Sequence, residues 1–405
     1  MTIQTHKLEN GLRIIHRNFP SEISYCGIVV NTGTRDEYPD ELGMAHFVEH
    51  MLFKGTKRRR AHHISNRMEN VGGDLNAYTT KEETFIYSTF LREYFPRAVE
   101  LLSDIIFNSE FAENQIEKER EVIIDEIDSY ADYPSELIFD DFENLMFTGH
   151  DLGHYILGES EILKTFNREK INSFVKRQYH PSNMVFFSFG KTPFTKVVKQ
   201  LERYFNFPQE QIELKRRNAP QNIKPLSQII QKQTTQTHVM LGWNKYNLHH
   251  PDKYVLYLLN NILGGGSLNS RLNSSLREKN GLVYNVESHA TLYTDTGFLS
   301  IYFACDPKYK AKCLRLVNKE LKKLMSKELS TMQLSLAKRQ WKGQIGISSE
   351  INENSALNMA KNYLHYDKYI TMDDVFAKID AISGKQILDV ANELFSTGSI
   401  DVIYV

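Results

Sequence analysis

The chain has 405 residues, 41% of them hydrophobic and 24% charged, the composition of a folded globular protein with more than one core. Its 49 Lys and Arg nearly cancel 50 Asp and Glu, leaving a net charge of −1, which argues against a partnership with nucleic acid or an anionic membrane. Three scattered cysteines, Cys26, Cys305 and Cys313, offer neither a disulfide framework nor a thiolate metal site, and no run approaches the ~20 apolar residues of a membrane span.

The opening Met1–Lys7 stretch lacks a basic segment followed by an apolar core, so a cytoplasmic protein is expected. An Asn10-Gly11 turn precedes a strand over Leu12–Arg17, and Ser24–Val30 is a second β-branched run. A charged loop, Thr34–Asp40, leads into a helical pattern from about Glu41 to Lys54 that Gly55 stops. Gly72-Gly73 precedes a strand-like Phe85–Phe90. Helices are predicted over Glu93–Phe107 and Glu113–Tyr130, the second ending before Pro134. Met184–Phe189 reads as a strand and Thr195–Phe205 as a helix.

Residues 206–225 are polar, Pro-punctuated and unpatterned, which reads as an exposed linker. Beyond it the order repeats. A strand at His238–Trp243, a helix at Tyr254–Leu263, a Gly264-Gly265-Gly266 turn and a helix at Leu268–Lys279 come first. Strands at Leu282–Ser288 and Gly297–Ala304 follow, and then mostly helix. The expected fold is α+β, with two similar halves, each a mostly antiparallel sheet covered by helices. Residues 1–205 form the first domain, 206–225 the linker and 226–405 the second, homologous domain.

One stretch carries chemistry: Gly43-Met44-Ala45-His46-Phe47-Val48-Glu49-His50-Met51-Leu52. His46 and His50 are one helical turn apart on one face, the spacing at which two imidazoles share a zinc ion. Glu49 lies beside them, placed to take a proton from a metal-activated water. A third protein ligand is required, and the helix Glu113–Tyr130 offers several acids. Most belong to a solvated face. Glu126 falls on the apolar stripe with Val122, Ile123 and Tyr130, where an unpaired carboxylate would be costly, and Glu119 is two turns earlier on the same face. The basic run Lys57-Arg58-Arg59-Arg60 reads as a solvated loop that could steer acidic peptides.

The order HxxEH, reversed from the commoner HExxH, marks the inverzincins. Around it, GMAHFVEHMLFKGT and the later Gly72-Gly73-Asp74-Leu75-Asn76-Ala77-Tyr78-Thr79 resemble the pitrilysin and mitochondrial processing peptidase family of zinc metallopeptidases. The resemblance implies one Zn2+ per chain bound by His46, His50 and Glu126, with Glu49 as general base and Glu119 as a supporting acid that orients a ligand. In the second half, Leu272–Tyr284 also resembles the family, implying that Arg277 and Tyr284 hold the substrate backbone or its developing oxyanion. Asn76 and Ala77 fall where the family presents a strand edge to an extended substrate. The activity implied is a zinc-dependent endopeptidase acting on peptides or small unfolded polypeptides in an enclosed chamber. The implied assembly is a homodimer, or a heterodimer with a paralogue, and the resemblance leaves open whether the site is completed across subunits. A non-catalytic peptide-binding or structural homologue is the alternative. Intact His46, Glu49, His50 and Glu126 argue against it, and a purely structural zinc site would need a fourth protein ligand.

Overall fold

In the computed structural model, which describes residues 2–207 and 214–405, the β-branched and aromatic runs build two sheets. Residues 208–213 of the expected linker lie outside the described residues. The first sheet comprises β1 (Ile3–Lys7), β2 (Arg13–Asn18), β3 (Ile23–Val30), β4 (Asp74–Thr79), β5 (Thr84–Leu91) and β6 (Met184–Gly190). Its order is β1-β2-β6-β3-β5-β4, antiparallel except for the β2–β6 pair. The central β6 reads MVFFSFG and is buried throughout, as a strand covered on both faces must be. The helices of this stretch are α1 (Met44–Met51), α2 (Ala61–Glu69), α3 (Phe95–Phe107), α4 (Glu113–Ala131), α5 (Pro134–Met146), α6 (Ser160–Leu163), α7 (Arg168–Gln178) and α8 (Phe194–Tyr204).

The second sheet contains β7 (Leu226–Ile230), β8 (Thr237–Asn244), β9 (Val283–Leu292), β10 (Gly297–Cys305) and β11 (Ile400–Tyr404), in the order β7-β11-β8-β10-β9. Here too a single pair, β7–β11, is parallel. Strand for strand, β7, β11, β8, β10 and β9 occupy the places of β2, β6, β3, β5 and β4, with β1 the additional strand. Helices α9 (Lys253–Leu263), α10 (Lys310–Ser326), α11 (Thr331–Ser349), α12 (Asn352–Tyr366), α13 (Met372–Ala381) and α14 (Gly384–Phe395) complete the set. The fold is therefore the expected α+β pair of similar halves, each a mostly antiparallel sheet covered by helices. None of the helices among the described residues is long and apolar enough to cross a membrane.

The chain packs as two compact units, Met1–Asp128 with His154–Arg217 and Ser349–Ile370, and Ser129–Gly153 with Asn218–Ser348 and Thr371–Val405. Two segments thus join a unit other than the one chain order suggests, and apolar packing explains both. Helix α5 sends Ile138, Phe142 and Met146 into a cluster with Phe298, Tyr302, Val402 and Tyr404. The Phe142 ring sits so close to Gly242 that a Cβ there would lie 2.2 Å from it, so only glycine fits. Helix α12 brings Ala356, Met359, Ala360 and Tyr363 onto Ile15, Val29, Phe85, Val185 and Phe187. In each unit one face of the sheet would otherwise leave a row of large apolar side chains in water.

Three further differences have local causes. The helix expected from Glu41 begins only at Met44, because Gly43 takes a left-handed φ of 91°. The helix expected over Leu268–Lys279 is a π-helical turn, Asn273–Glu278. The short strands β1 and β7 and the mostly polar helices α2 and α7 carry too little periodic apolar signal for the pattern to reveal them, whereas α5 (Ile138, Phe142, Met146) and β11 (Ile400, Val402, Tyr404) carry a period that the reading passed over.

Helix α12 is also fastened by charge. His365 Nε2 donates to Glu83 Oε1 at 2.6 Å, and Lys361 Nζ lies 3.1 Å from the same oxygen. Burial alone would raise the Glu83 pKa, but His365 and Lys361 outweigh it and hold the carboxyl near about 2. A carboxyl depressed on folding stabilises above its unfolded pKa, and that contribution is lost as the pH falls through the folded value. Denaturant unfolding of the wild type should therefore show roughly 3 kcal/mol disappearing between about pH 4.5 and pH 2 from this group. A His365→Ala variant should lose most of that pH dependence.

Candidate metal centre

Helix α1 is anchored by Met44, Phe47, Val48 and Met51, all buried in the core of the first unit. Its 3.6-residue period then turns His46, Glu49 and His50 to a common side. The helix start is fixed twice. A Cβ on Gly43 would meet Gly158 Cα and the Leu157 carbonyl oxygen, both at 2.8 Å, so no other residue fits the left-handed position. The fully buried Glu37 accepts the Gly43 N–H at 2.9 Å with one carboxylate oxygen and the Ala45 N–H at 2.8 Å with the other. It thereby satisfies donors that a helix N-terminus leaves unpaired. Burial raises the Glu37 pKa well above the ordinary value, opposed by these two N–H groups.

The loop that carries Glu37 is itself clasped. Arg217, from the middle of the linker, grips the Asp36 carboxylate with Nε at 2.8 Å and Nη2 at 2.7 Å. Nη2 also donates to the Glu82 carbonyl at 2.9 Å. Residue 82 lies just past β4, whose last residue, Thr79, donates its hydroxyl to Glu49 Oε2 at 2.6 Å. Burial raises the Glu49 pKa, with Thr79 and His50 pulling the other way.

Helix α4 supplies the acids. His50 Nδ1 donates to Glu119 Oε1 at 2.8 Å, and the other Glu119 oxygen receives Lys54 Nζ at 2.6 Å. Glu119 is buried; desolvation would raise its pKa, but His50 and Lys54 keep it below the usual range. The opposite ring nitrogen of His50, Nε2, lies 3.9 Å from Glu126 Oε2. Burial would lower the His50 pKa, and the Glu119 bond and charge turn the shift upward. The His46 ring centroid is 4.5 Å from that of His50, and burial together with the charge of His50 lowers the His46 pKa to about 3. His46 is thus a neutral imidazole, and its buried Nδ1 has no hydrogen-bond partner.

One nitrogen of each histidine and one oxygen of Glu126 lie within 4.8 Å of one another. A nitrogen from each imidazole and a carboxylate oxygen, with the buried His46 ring otherwise unsatisfied, form a donor set that suits zinc and leaves a coordination position open. One step of the sequence argument is corrected. Glu126 is not on a buried stripe. Its side chain is 44% exposed and the neighbouring Val122 is exposed too, because the buried line of α4 runs through Ile116, Glu119 and Ile123. Glu126 stands at the margin of that line, where the cost of burying a charge does not arise.

Asn76 and Ala77 lie on β4, the edge strand of its sheet, paired to β5 on one side only. Asn76 turns its amide to the Asp74 carboxylate at 2.8 Å. In the second unit, Arg277 on the π-helical turn and Tyr284 on β9 lie together, the guanidinium carbon 5.6 Å from the ring centroid. Tyr284 is 83% exposed. Sequence reasoning missed Glu37, Lys54, Thr79 and Arg217. Thr79 and Lys54 sit inside the quoted motifs, but no periodicity distinguishes their roles.

Residues 13–160 match the family described as Insulinase (Peptidase family M16), and residues 165–341 the one described as Peptidase M16 inactive domain. The chain belongs to peptidase family M16. A Bacillus subtilis relative named uncharacterized zinc protease YmxG is 31% identical over 97% of this chain and 96% of its own. A Rickettsia bellii relative, also named an uncharacterized zinc protease, is 33% identical over 98% of this chain and 96% of its own. Among solved structures, a protease from Helicobacter pylori superposes with a TM-score of 0.91 at 22% identity, covering 100% of this chain and 99% of its own. A peptidase M16 inactive domain from Pseudomonas fluorescens gives 0.92 at 18%, covering 100% and 98%. At those identities the two structures establish the fold alone. This M16 chain is of the short, two-domain, pitrilysin-like type.

The capping role of Glu37 is open to measurement. Glu37→Ala strands two buried N–H groups and should cost roughly 2–4 kcal/mol in denaturant unfolding. Glu37→Gln, which keeps an acceptor for one of them, should lose less.

Proposed function

We propose that this M16 chain is a zinc-dependent endopeptidase acting on peptides or small unfolded polypeptides. The observation that carries the reading is the convergence of His46, His50 and Glu126, with the buried carboxyl of Glu49 on the same helix. Zinc held by those three residues would lower the pKa of a bound water towards about 7 and polarise a peptide carbonyl.

The chain's own groups divide the remaining work. Thr79 holds one Glu49 oxygen, so the other is left to accept a proton from the attacking water and return it to the leaving amine. The upward shift of the Glu49 pKa brings it closer to the range in which a carboxylate both takes and gives a proton. Glu119 fixes the His50 tautomer by holding Nδ1–H, which leaves the Nε2 lone pair directed towards Glu126. Asn76 and Ala77 on the free edge of β4 would pair with an extended substrate by main-chain hydrogen bonds, which demand little sequence. Arg277 and Tyr284 would donate hydrogen bonds to the substrate backbone or to the oxyanion as it forms. The assembly that fits this division is a homodimer, or a pair with a paralogue, enclosing a chamber.

Zinc analysis of the purified protein should find one ion per chain, removed by chelation together with hydrolysis of a quenched peptide. Glu49→Gln should keep the zinc and lose about 10³-fold in kcat. His46→Ala and Glu126→Gln should lose zinc, and Glu119→Gln should weaken its affinity by roughly 10–100-fold. Full zinc content with undiminished activity in Glu49→Gln would contradict the proposed base. If sites are completed across subunits, mixing inactive Arg277→Ala and Glu49→Gln chains should restore up to about a quarter of wild-type activity by random pairing. No recovery after verified subunit exchange would contradict shared sites.

A further inference from the structure

The basic run Lys57–Arg60 has no part in the metal centre, yet the structure places it beside that centre. With Lys54, His62 and His63 it lines a cavity of about 570 Å³ between the end of α1, the start of α2 and the start of α4. The loop is held firmly. Arg59 clamps Glu100 with Nη2 at 2.7 Å and also pairs with Asp104, while the Thr56 hydroxyl donates to the same Asp104 and accepts the N–H groups of Arg58 and Arg59. Among the described residues no carboxylate pairs with Lys57, Arg58 or Arg60, and Glu110 is the single acid on the wall. Helix α2 opens there without a side-chain cap, adding its partial positive charge.

The cavity lies near the ligand set. Lys54 stands four residues after His50, just past the end of α1, and Gln115 stands eleven residues before Glu126 on α4. Four helical residues advance about 6 Å and eleven about 16 Å, whereas an extended peptide advances about 3.3 Å per residue. A side chain two to five residues from a bond at the metal would therefore reach the cavity.

We propose that this cavity is a substrate subsite for an acidic side chain, Asp or Glu, two to five residues from the cleaved bond. The proposal rests on the peptidase reading and names its substrate class. Three neighbouring cations without partners repel one another, and a carboxylate seated among them would relieve that repulsion with charge-assisted hydrogen bonds from Arg58 and Arg60.

The test uses matched quenched peptides that carry Glu, Gln or Lys in turn at each position up to five residues either side of one cleavable bond. At low salt the wild type should prefer the Glu peptide over the Lys peptide by about tenfold in kcat/KM at one or more of those positions, and added salt should shrink the ratio. An Arg58→Glu/Arg60→Glu variant should invert it. Equal cleavage of the three peptides, or a ratio that survives charge reversal, overturns the subsite. Binding of the same peptides to Glu49→Gln, read by fluorescence anisotropy, separates the two claims. Discrimination there without hydrolysis by the wild type would sink the peptidase and leave the subsite standing; no discrimination sinks the subsite.

Discussion

Everything at the proposed metal centre depends on one carboxylate shared between two partners, one on a neighbouring helix and one just past its end. Glu119 of α4 accepts the Nδ1–H of His50 with one oxygen and pairs with Lys54, just past the end of α1, with the other. A carboxylate buried without partners would be costly; with an ammonium on one oxygen and an N–H donor on the other it stays ionised and holds α1 and α4 in a single register. The consequences run in two directions. The His50 tautomer is set, and Glu126, two turns further along α4, is brought to within 3.9 Å of the nitrogen left free. Without that register, His46 and His50 would be a histidine pair with nothing opposite.

A second layer of constraint acts on the other end of α1. Glu37 ties the first backbone N–H groups, Arg217 ties Asp36 beside it, and the same guanidinium reaches the carbonyl of Glu82, just past the strand that carries Thr79. The helix with the histidines and the strand that restrains Glu49 are thus referred to one cation from the linker. Such buried charge is a poor source of net stability, since desolvation offsets much of the attraction. Its value lies in permitting one arrangement of loop, helix and strand, which a site with tolerances below an ångström requires.

The sequence disclosed much of this unevenly. His46 and His50 were legible because a helical repeat of four is itself the geometry of shared coordination. The repeated order of strands and helices likewise forecast two similar halves, and the paired sheet topologies bear it out. Glu126 was selected for a reason that does not hold, since Val122 and Glu126 are exposed and the buried line of α4 passes one residue away. The exchange of α5 and α12 between units could not be read, because amphipathicity says that a helix will bury a face and not which sheet will receive it. Arg217 was invisible for a related cause. In a polar, unpatterned linker nothing marks the basic residues whose partners lie 135 to 181 positions earlier.

The central claim is that two imidazoles and one carboxylate hold a zinc ion with a coordination position left for solvent. X-ray absorption at the zinc edge of the metal-loaded protein tests it most directly. The account predicts about four nitrogen or oxygen neighbours near 2.0–2.1 Å, with the outer-shell scattering of two imidazoles and no sulfur. Scattering from fewer than two imidazoles, or a sulfur neighbour near 2.3 Å, would contradict it.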